Sequence, residues 1–131
     1  MAPTIEQVVR TAFEESFAGR RSVLVDLLAD DYVQYGPDLQ GVYQEFRAAE
    51  YGKMFSKAAA LTDSTYEILE TSSVGDEIVF MVVRSNRRAK ASGVTGEYRV
   101  ALLINILDGR ITRIVEIGEQ AAFEFWRKAA P

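Results

Sequence analysis

Glu116 is the residue of this chain best suited to moving a proton. It stands in Arg110 to Ile117, a stretch in which polar and apolar side chains alternate. A carboxyl in an apolar hollow has its pKa raised by desolvation and lowered by a nearby arginine. A base balanced between the two can abstract a proton from carbon or from a hydroxyl. Arg84, in the alternating stretch Glu77 to Lys90, is the matching cation. It would orient Glu116 or stabilise an enolate oxygen where water is excluded. Tyr35 and Asp38 flank Gly36-Pro37 at the expected mouth of the hollow, Tyr35 as a donor to a substrate carbonyl and Asp38 as a further carboxyl. Plainer readings stand beside these. Glu116 and Arg84 also fit a structural ion pair, and Asp38 fits a cap on the helix that follows.

The chemistry falls to these residue types because the 131 residues include no histidine and no cysteine. That removes the commonest proton shuttle, the commonest metal ligand, disulfides and thiol nucleophiles. No carboxylates cluster at close spacing, so neither a metal nor another cofactor is expected. A net charge of −4 gives no general attraction for phosphate backbones, and the basic cluster Arg87, Arg88 and Lys90 falls at a hairpin tip, so nucleic acid is not an expected partner. No apolar run approaches the ~18 residues of a membrane span, and MAPTIEQ lacks a charged-then-apolar export pattern. The expectation is a cytoplasmic protein with no membrane partner, folded as one domain over residues 1–131.

The elements that must position these residues can be read from periodicity. Ile5, Val8, Val9, Ala12, Phe13 and Phe17 share one helix face. Thr4 and Gln7 have the spacing of a capping box at its start, and Gly19 suits the turn after its end. A short second helix starts near Ser22, burying Val23, Leu24, Leu27 and Leu28, and a short strand follows from Tyr32 to Tyr35. The spacing predicts a third helix from Val42 to Ala60, with Gly52 marking a bend or a close neighbour. From Leu61 the period becomes two, giving strands over Thr65 to Ser72, Glu77 to Lys90, Thr95 to Leu107 and Arg110 to Ile117. Their short turns make them antiparallel neighbours. Gln120 to Ala129 reads as a terminal helix. The predicted class is α+β, with the helices packed into the hollow of a curved sheet.

Parity divides each long strand into an apolar set and a mixed set, but does not say which faces the helices. A ligand pocket is mostly apolar with a few polar groups, whereas a subunit contact is more uniformly apolar. On that ground Arg84, Asn86, Asn105 and Glu116 are expected inside the trough. Val100, Leu102, Ile104, Val115 and Ile117 are expected in a homodimer contact on the outer face. Phe13, Phe17, Tyr51, Met54 and Phe55 are the candidate pocket wall, with Asn86 and Asn105 as partners for a substrate oxygen.

The order of these parts resembles the cystatin-like cone of the nuclear transport factor 2-like superfamily, and within it the SnoaL-like polyketide cyclases and ketosteroid isomerases. The resemblance rests on Leu27-Leu28-Ala29-Asp30-Asp31-Tyr32-Val33, the helix after Gly41, and Asp108-Gly109-Arg110-Ile111 leading to Glu116 and Glu119. It implies a cone-shaped α+β barrel with a mixed, mostly antiparallel sheet, and a cavity-facing general base at Glu116. It does not carry over the isomerase's own site, whose three functional positions fall on Thr11, Tyr35 and near Ala101. The expected function is a cofactor-free isomerase or cyclase acting on an apolar, oxygenated small molecule such as a polyketide or terpenoid intermediate. An epoxide hydrolase, which would need Asp38 or Glu97 as a second acid, is one alternative. A non-catalytic binding or dimerisation module is the other.

Overall fold

The computed structural model describes residues 2–129. In chain order the elements are α1 (Ile5–Phe17), α2 (Ser22–Val25), β1 (Leu28–Pro37), β2 (Tyr43–Arg47), α3 (Ala48–Leu61), β3 (Thr62–Val74), β4 (Ile78–Ala89), β5 (Thr95–Leu107), β6 (Arg110–Gly118) and α4 (Gln120–Ala129). The six strands form one sheet in the order β2-β1-β6-β5-β4-β3. Only β1 and β6 pair in parallel. This is the expected α+β class with a mixed sheet. The sheet is open, with β2 and β3 as its edges, and so is not a closed barrel.

Local sequence explains most of these boundaries. The Thr4 hydroxyl accepts from the Gln7 amide and the Gln7 side chain accepts from the Thr4 amide, completing the capping box of α1. Asp108 and Gly109 both have positive φ, which suits the two-residue turn between β5 and β6. Where α3 begins, pairing overrides periodicity. Tyr43 to Arg47 lies antiparallel to Val33 to Pro37, so the stretch expected to open the helix is instead the edge strand β2. The helix starts at Ala48, with the Glu50 side chain accepting from the Arg47 amide. Gly52 has no neighbour within reach of an added Cβ, so of the bend or close neighbour expected there the close neighbour is absent. In the short α2, Val23 is exposed rather than buried.

In β4 and β5 the inner face is the apolar one, opposite to the expected assignment, whereas in β6 Glu116 faces inward and Val115 and Ile117 outward. Val79, Met81, Val83 and Ser85 of β4 are buried, as are Tyr98, Val100, Leu102, Ile104 and Ile106 of β5. Arg84, Asn86 and Asn105 occupy the alternate positions on the outer face, and Val115 and Ile117 lie there with them. Val100, Leu102 and Ile104 are therefore core residues and form no outer contact. The reason is register. Glu116 pairs with Leu102, and Leu102 with Met81, so the carboxylate shares its face with the apolar rows. A bulge in β6 makes this possible. Ile106 pairs with Ile111 but Asn105 with Arg113, leaving Thr112 as the extra residue, whose hydroxyl donates to the Asn105 carbonyl. Ile111, Ile114 and Glu116 consequently face the same way although their spacing is not strictly two.

The helices cover this face. α1 packs on β3 and β4, and α4 on β5 and β6, while α3 spans from β1 and β2 to β3. Gly96 makes room for α4: a Cβ there would lie 3.0 Å from the Phe125 ring.

Candidate functional site

Between the helices and the inner face of the sheet lies a cavity of about 160 Å³. Phe13 and Phe17 from α1, Tyr51, Met54 and Phe55 from α3, and Trp126 from α4 form much of its wall. The five expected wall residues thus all line it. Two polar groupings face this apolar space, one built around Glu116 and the other around Arg87.

The first grouping runs along β1 and β6. Gln34 and Tyr32 are each 2% exposed, two residues apart on the inner face of β1. The Tyr32 hydroxyl donates to Gln34 Oε1, which turns the amide so that Gln34 Nε2 donates to Glu116 Oε2 at 3.4 Å. Burial, followed by the charge of Glu116, pushes the Tyr32 phenol well above its ordinary pKa, so it remains a donor. Burial raises the pKa of Glu116 as well; Arg87 and the Gln34 hydrogen bond pull it back only in part. Both carboxyl-binding devices, the Gln34 amide and the open space at Gly36, act on Oε2. Oε1 carries no hydrogen bond from a described residue.

The second grouping is at the far end of β4. Arg87 Nε donates to the Tyr98 hydroxyl at 2.8 Å, Nη2 to the Tyr66 hydroxyl at 2.8 Å and Nη1 to Thr62 Oγ1 at 3.1 Å. Its guanidinium lies 5.0 Å from the Trp126 ring centre and 5.4 Å from that of Tyr66, within cation–π range. Burial opposes the charge, but Tyr98, Tyr66 and Glu116 together hold the pKa above the ordinary arginine value. Among the described residues no carboxylate forms an ion pair with Arg87.

The other expected site residues fall elsewhere. Arg84 is on the outer face, 3.8 Å from Glu97, with both side chains exposed. Tyr35 lies between Glu45 and Val115 in register, against the Tyr43 ring, and does not line the cavity. Asp38 does line the cavity. Its Oδ1 accepts from the amides of Gln40 and Val42, and its Oδ2 from Gln44 Nε2, so it holds the β1–β2 turn rather than capping a helix. Asn86 and Asn105 face away from the cavity. Glu119 clasps Arg99 through Oε1 at 2.6 and 2.9 Å, and its pKa falls chiefly for that reason.

The family model described as the SnoaL-like domain matches residues 8–114 of the chain. The chain belongs to the SnoaL-like family. Solved structures show the same fold at low identity. Bal32a, from a soil-derived mobile gene cassette, is 17% identical, with a TM-score of 0.81 over 94% of this chain and 96% of its own. A cystatin-like-fold protein from Xanthomonas campestris is 18% identical, with a TM-score of 0.80 over 95% of this chain and 98% of its own. IdmH, a proposed polyketide cyclase from Streptomyces antibioticus, is 17% identical, with a TM-score of 0.74 over 90% of this chain and 94% of its own. No curated protein sequence is a significant match. The SnoaL-like match includes Gln34 and Arg87 and ends two residues before Glu116.

In this SnoaL-like chain, sequence reasoning passed over Arg87, Gln34, Tyr32, Tyr66, Tyr98 and Trp126. Parity gave a usable signal for Tyr98, which continues the set Val100, Leu102, Ile104 and Ile106, and for Arg87. The apolar set Val79, Met81, Val83 and Ser85 continues by parity to Arg87, which separates it from its outward neighbours Arg88 and Lys90. Those two take Asp63 as their surface partner.

Proposed function

We propose that the cavity performs cofactor-free acid–base catalysis, as an isomerase or cyclase, on an apolar, oxygenated small molecule of polyketide or terpenoid type. The observation that carries this reading is the Glu116 carboxyl. It stands in an apolar cavity, has a raised pKa, is tied through one oxygen to Gln34, and is close enough to Arg87 to feel its charge.

Ionised Glu116 takes a proton from a carbon beside a carbonyl. The C–H electron pair moves into the new C=C bond, and the carbonyl oxygen becomes an enolate. The Arg87 guanidinium, already oriented by Tyr66, Tyr98 and Thr62, stabilises that oxygen. In an isomerase, protonated Glu116 returns the proton to a different carbon. In a cyclase, the enolate carbon bonds to a second carbonyl carbon of the same molecule, and that carbonyl oxygen takes the proton. Phe13, Phe17, Tyr51, Met54 and Phe55 hold the substrate in the shape that decides between these outcomes. The description of IdmH as a proposed polyketide cyclase favours the cyclase arm at the level of fold. The epoxide hydrolase alternative needs a second free acid. It is disfavoured because both Asp38 oxygens are occupied and Glu97 is outside.

The test is deuterium uptake beside the carbonyl of small cyclic ketones in D₂O, followed by NMR. The protein should accelerate it, and Glu116→Gln should lower the acceleration by about 100-fold or more while remaining folded. Equal uptake with both proteins, or no acceleration by either, contradicts the proposal. We also infer that the outer sheet face joins two copies of the chain, on the ground that Phe80, Leu103 and Ile117 remain 39%, 37% and 57% exposed there.

A further inference from the structure

Four charged side chains among the described residues line the cavity: Arg21, Asp38, Arg87 and Glu116. Two are cations and two are anions, but among the described residues no cation of this set is hydrogen-bonded to an anion of it. Asp38 is turned toward two backbone amides and the Gln44 side chain. Arg21 lies 3.8 Å over the Phe55 ring and, among the described residues, has no carboxylate partner. Arg87 is held by three neutral oxygens, and each of its terminal nitrogens carries a second N–H that makes no hydrogen bond to a described residue. Neither carboxylate forms an ion pair with either arginine among the described residues. A guanidinium withdrawn from water and lacking an anion is costly unless something supplies the missing charge.

The size of the space limits what that can be. A cavity of about 150 Å³ holds one benzene, and this one is about 160 Å³. The Trp126 ring lies beside the Arg87 guanidinium, and Phe13, Phe17 and Tyr51 line the same space, which suits a flat guest whose charged end reaches the arginine.

We infer that the natural ligand is a molecule of about one ring that carries an anionic oxygen, a carboxylate or an acidic phenol or enol, bound by the two free N–H groups of Arg87. Its remainder lies toward Glu116. This narrows the substrate class of the proposed acid–base reaction and rests on that reading for its catalytic meaning, but the binding itself does not require catalysis.

The experiment is calorimetric titration with benzoate, its neutral isostere benzamide, and anthraquinone-2-carboxylate. Trp126, the only tryptophan of the chain, gives a second readout through its emission. Benzoate should bind saturably and quench Trp126. Benzamide should bind about tenfold or more weakly, because it lacks the charge-assisted pair, and the three-ring acid should bind more weakly than benzoate. Arg87→Met should abolish the preference for benzoate over benzamide, with a melting curve to establish that it is folded. The wild-type contrast needs no variant. Benzamide binding as well as benzoate, or the three-ring acid binding best, overturns the inference. The deuterium-uptake assay separates the two proposals. Glu116-dependent uptake without benzoate preference sinks only the ligand class, and benzoate preference without uptake sinks only the chemistry.

Discussion

Gly36 lies against the carboxyl of Glu116: a Cβ at Gly36 would stand 2.9 Å from Oε2 and 3.2 Å from the Glu116 Cβ. The backbone of β1 is thus the wall against which the base is set, and Gln34, two residues earlier on the same face, supplies its hydrogen bond. Gly36→Ala must displace the carboxyl or the strand. The expected cost is about 1–3 kcal/mol of stability in denaturant unfolding, with a fall of about 100-fold in Glu116-dependent deuterium uptake. A variant unchanged in both would mean that the carboxyl position is not constrained by β1.

Glu116 also sets a pH dependence of stability. Burial raises its folded pKa above the reference 4.5. As pH climbs from 4.5 through that raised value, the folded state holds more protons than the unfolded state. Stability therefore falls across this window and stays lowered above it. Glutamine does not titrate. Glu116→Gln should melt at a higher temperature than wild type at about pH 8, with the gap narrowing by about pH 4, where wild-type Glu116 is mostly protonated in both states. Thermal melts at the two pH values decide it, and a variant less stable at pH 8 would show that the ionised carboxylate is net favourable.

How much of this was legible in the sequence follows from which physical signal each feature leaves. The capping box at Thr4, the antiparallel run from β3 to β6 and the inward carboxylate at Glu116 leave local marks, in spacing, turn residues and period. β2 does not. Tyr43 to Arg47 continues a helical pattern, and only its pairing with β1 makes it a strand. In β4 and β5 the apolar set faces inward and the mixed set outward, the reverse of what a mixed pocket lining implies, whereas in β6 Glu116 faces inward and Val115 and Ile117 outward. The bulge at Thr112 shifts β6 by one residue, which no periodicity reports, and register with Leu102 then puts Glu116 among the apolar rows. Arg84 and Arg87 are three apart on one strand and necessarily face opposite ways, so the wrong face meant the wrong arginine. The Tyr32–Gln34 pair depends on a hydrogen bond to a residue 82 positions away and leaves no local trace.

Gly52 offers a control outside the site. It lies within α3, and nothing stands within 4 Å of the Cβ it lacks. Gly52→Ala should stabilise the protein by about 0.5–1 kcal/mol in denaturant unfolding and leave deuterium uptake unchanged. A loss of stability would show that the helix needs glycine there for a reason that packing does not reveal.

The outer face gives a prediction about assembly. Leu103 and Ile117 are exposed apolar residues on that face. If two copies meet there, sedimentation at micromolar concentration shows a dimer, and Leu103→Asp or Ile117→Asp converts it to a folded monomer. A monomeric wild type, or a dimer that survives both changes, removes the outer face as the contact.

Whether Glu116 is a base poised between the apolar cavity and the Arg87 guanidinium is read from NMR titration of its carboxyl carbon in the wild type and in folded Arg87→Met. The wild-type midpoint should lie above the reference 4.5, because burial outweighs Arg87 and Gln34, and higher still once the arginine is removed. A wild-type midpoint at or below 4.5, or one that does not move when Arg87 is replaced, contradicts that role.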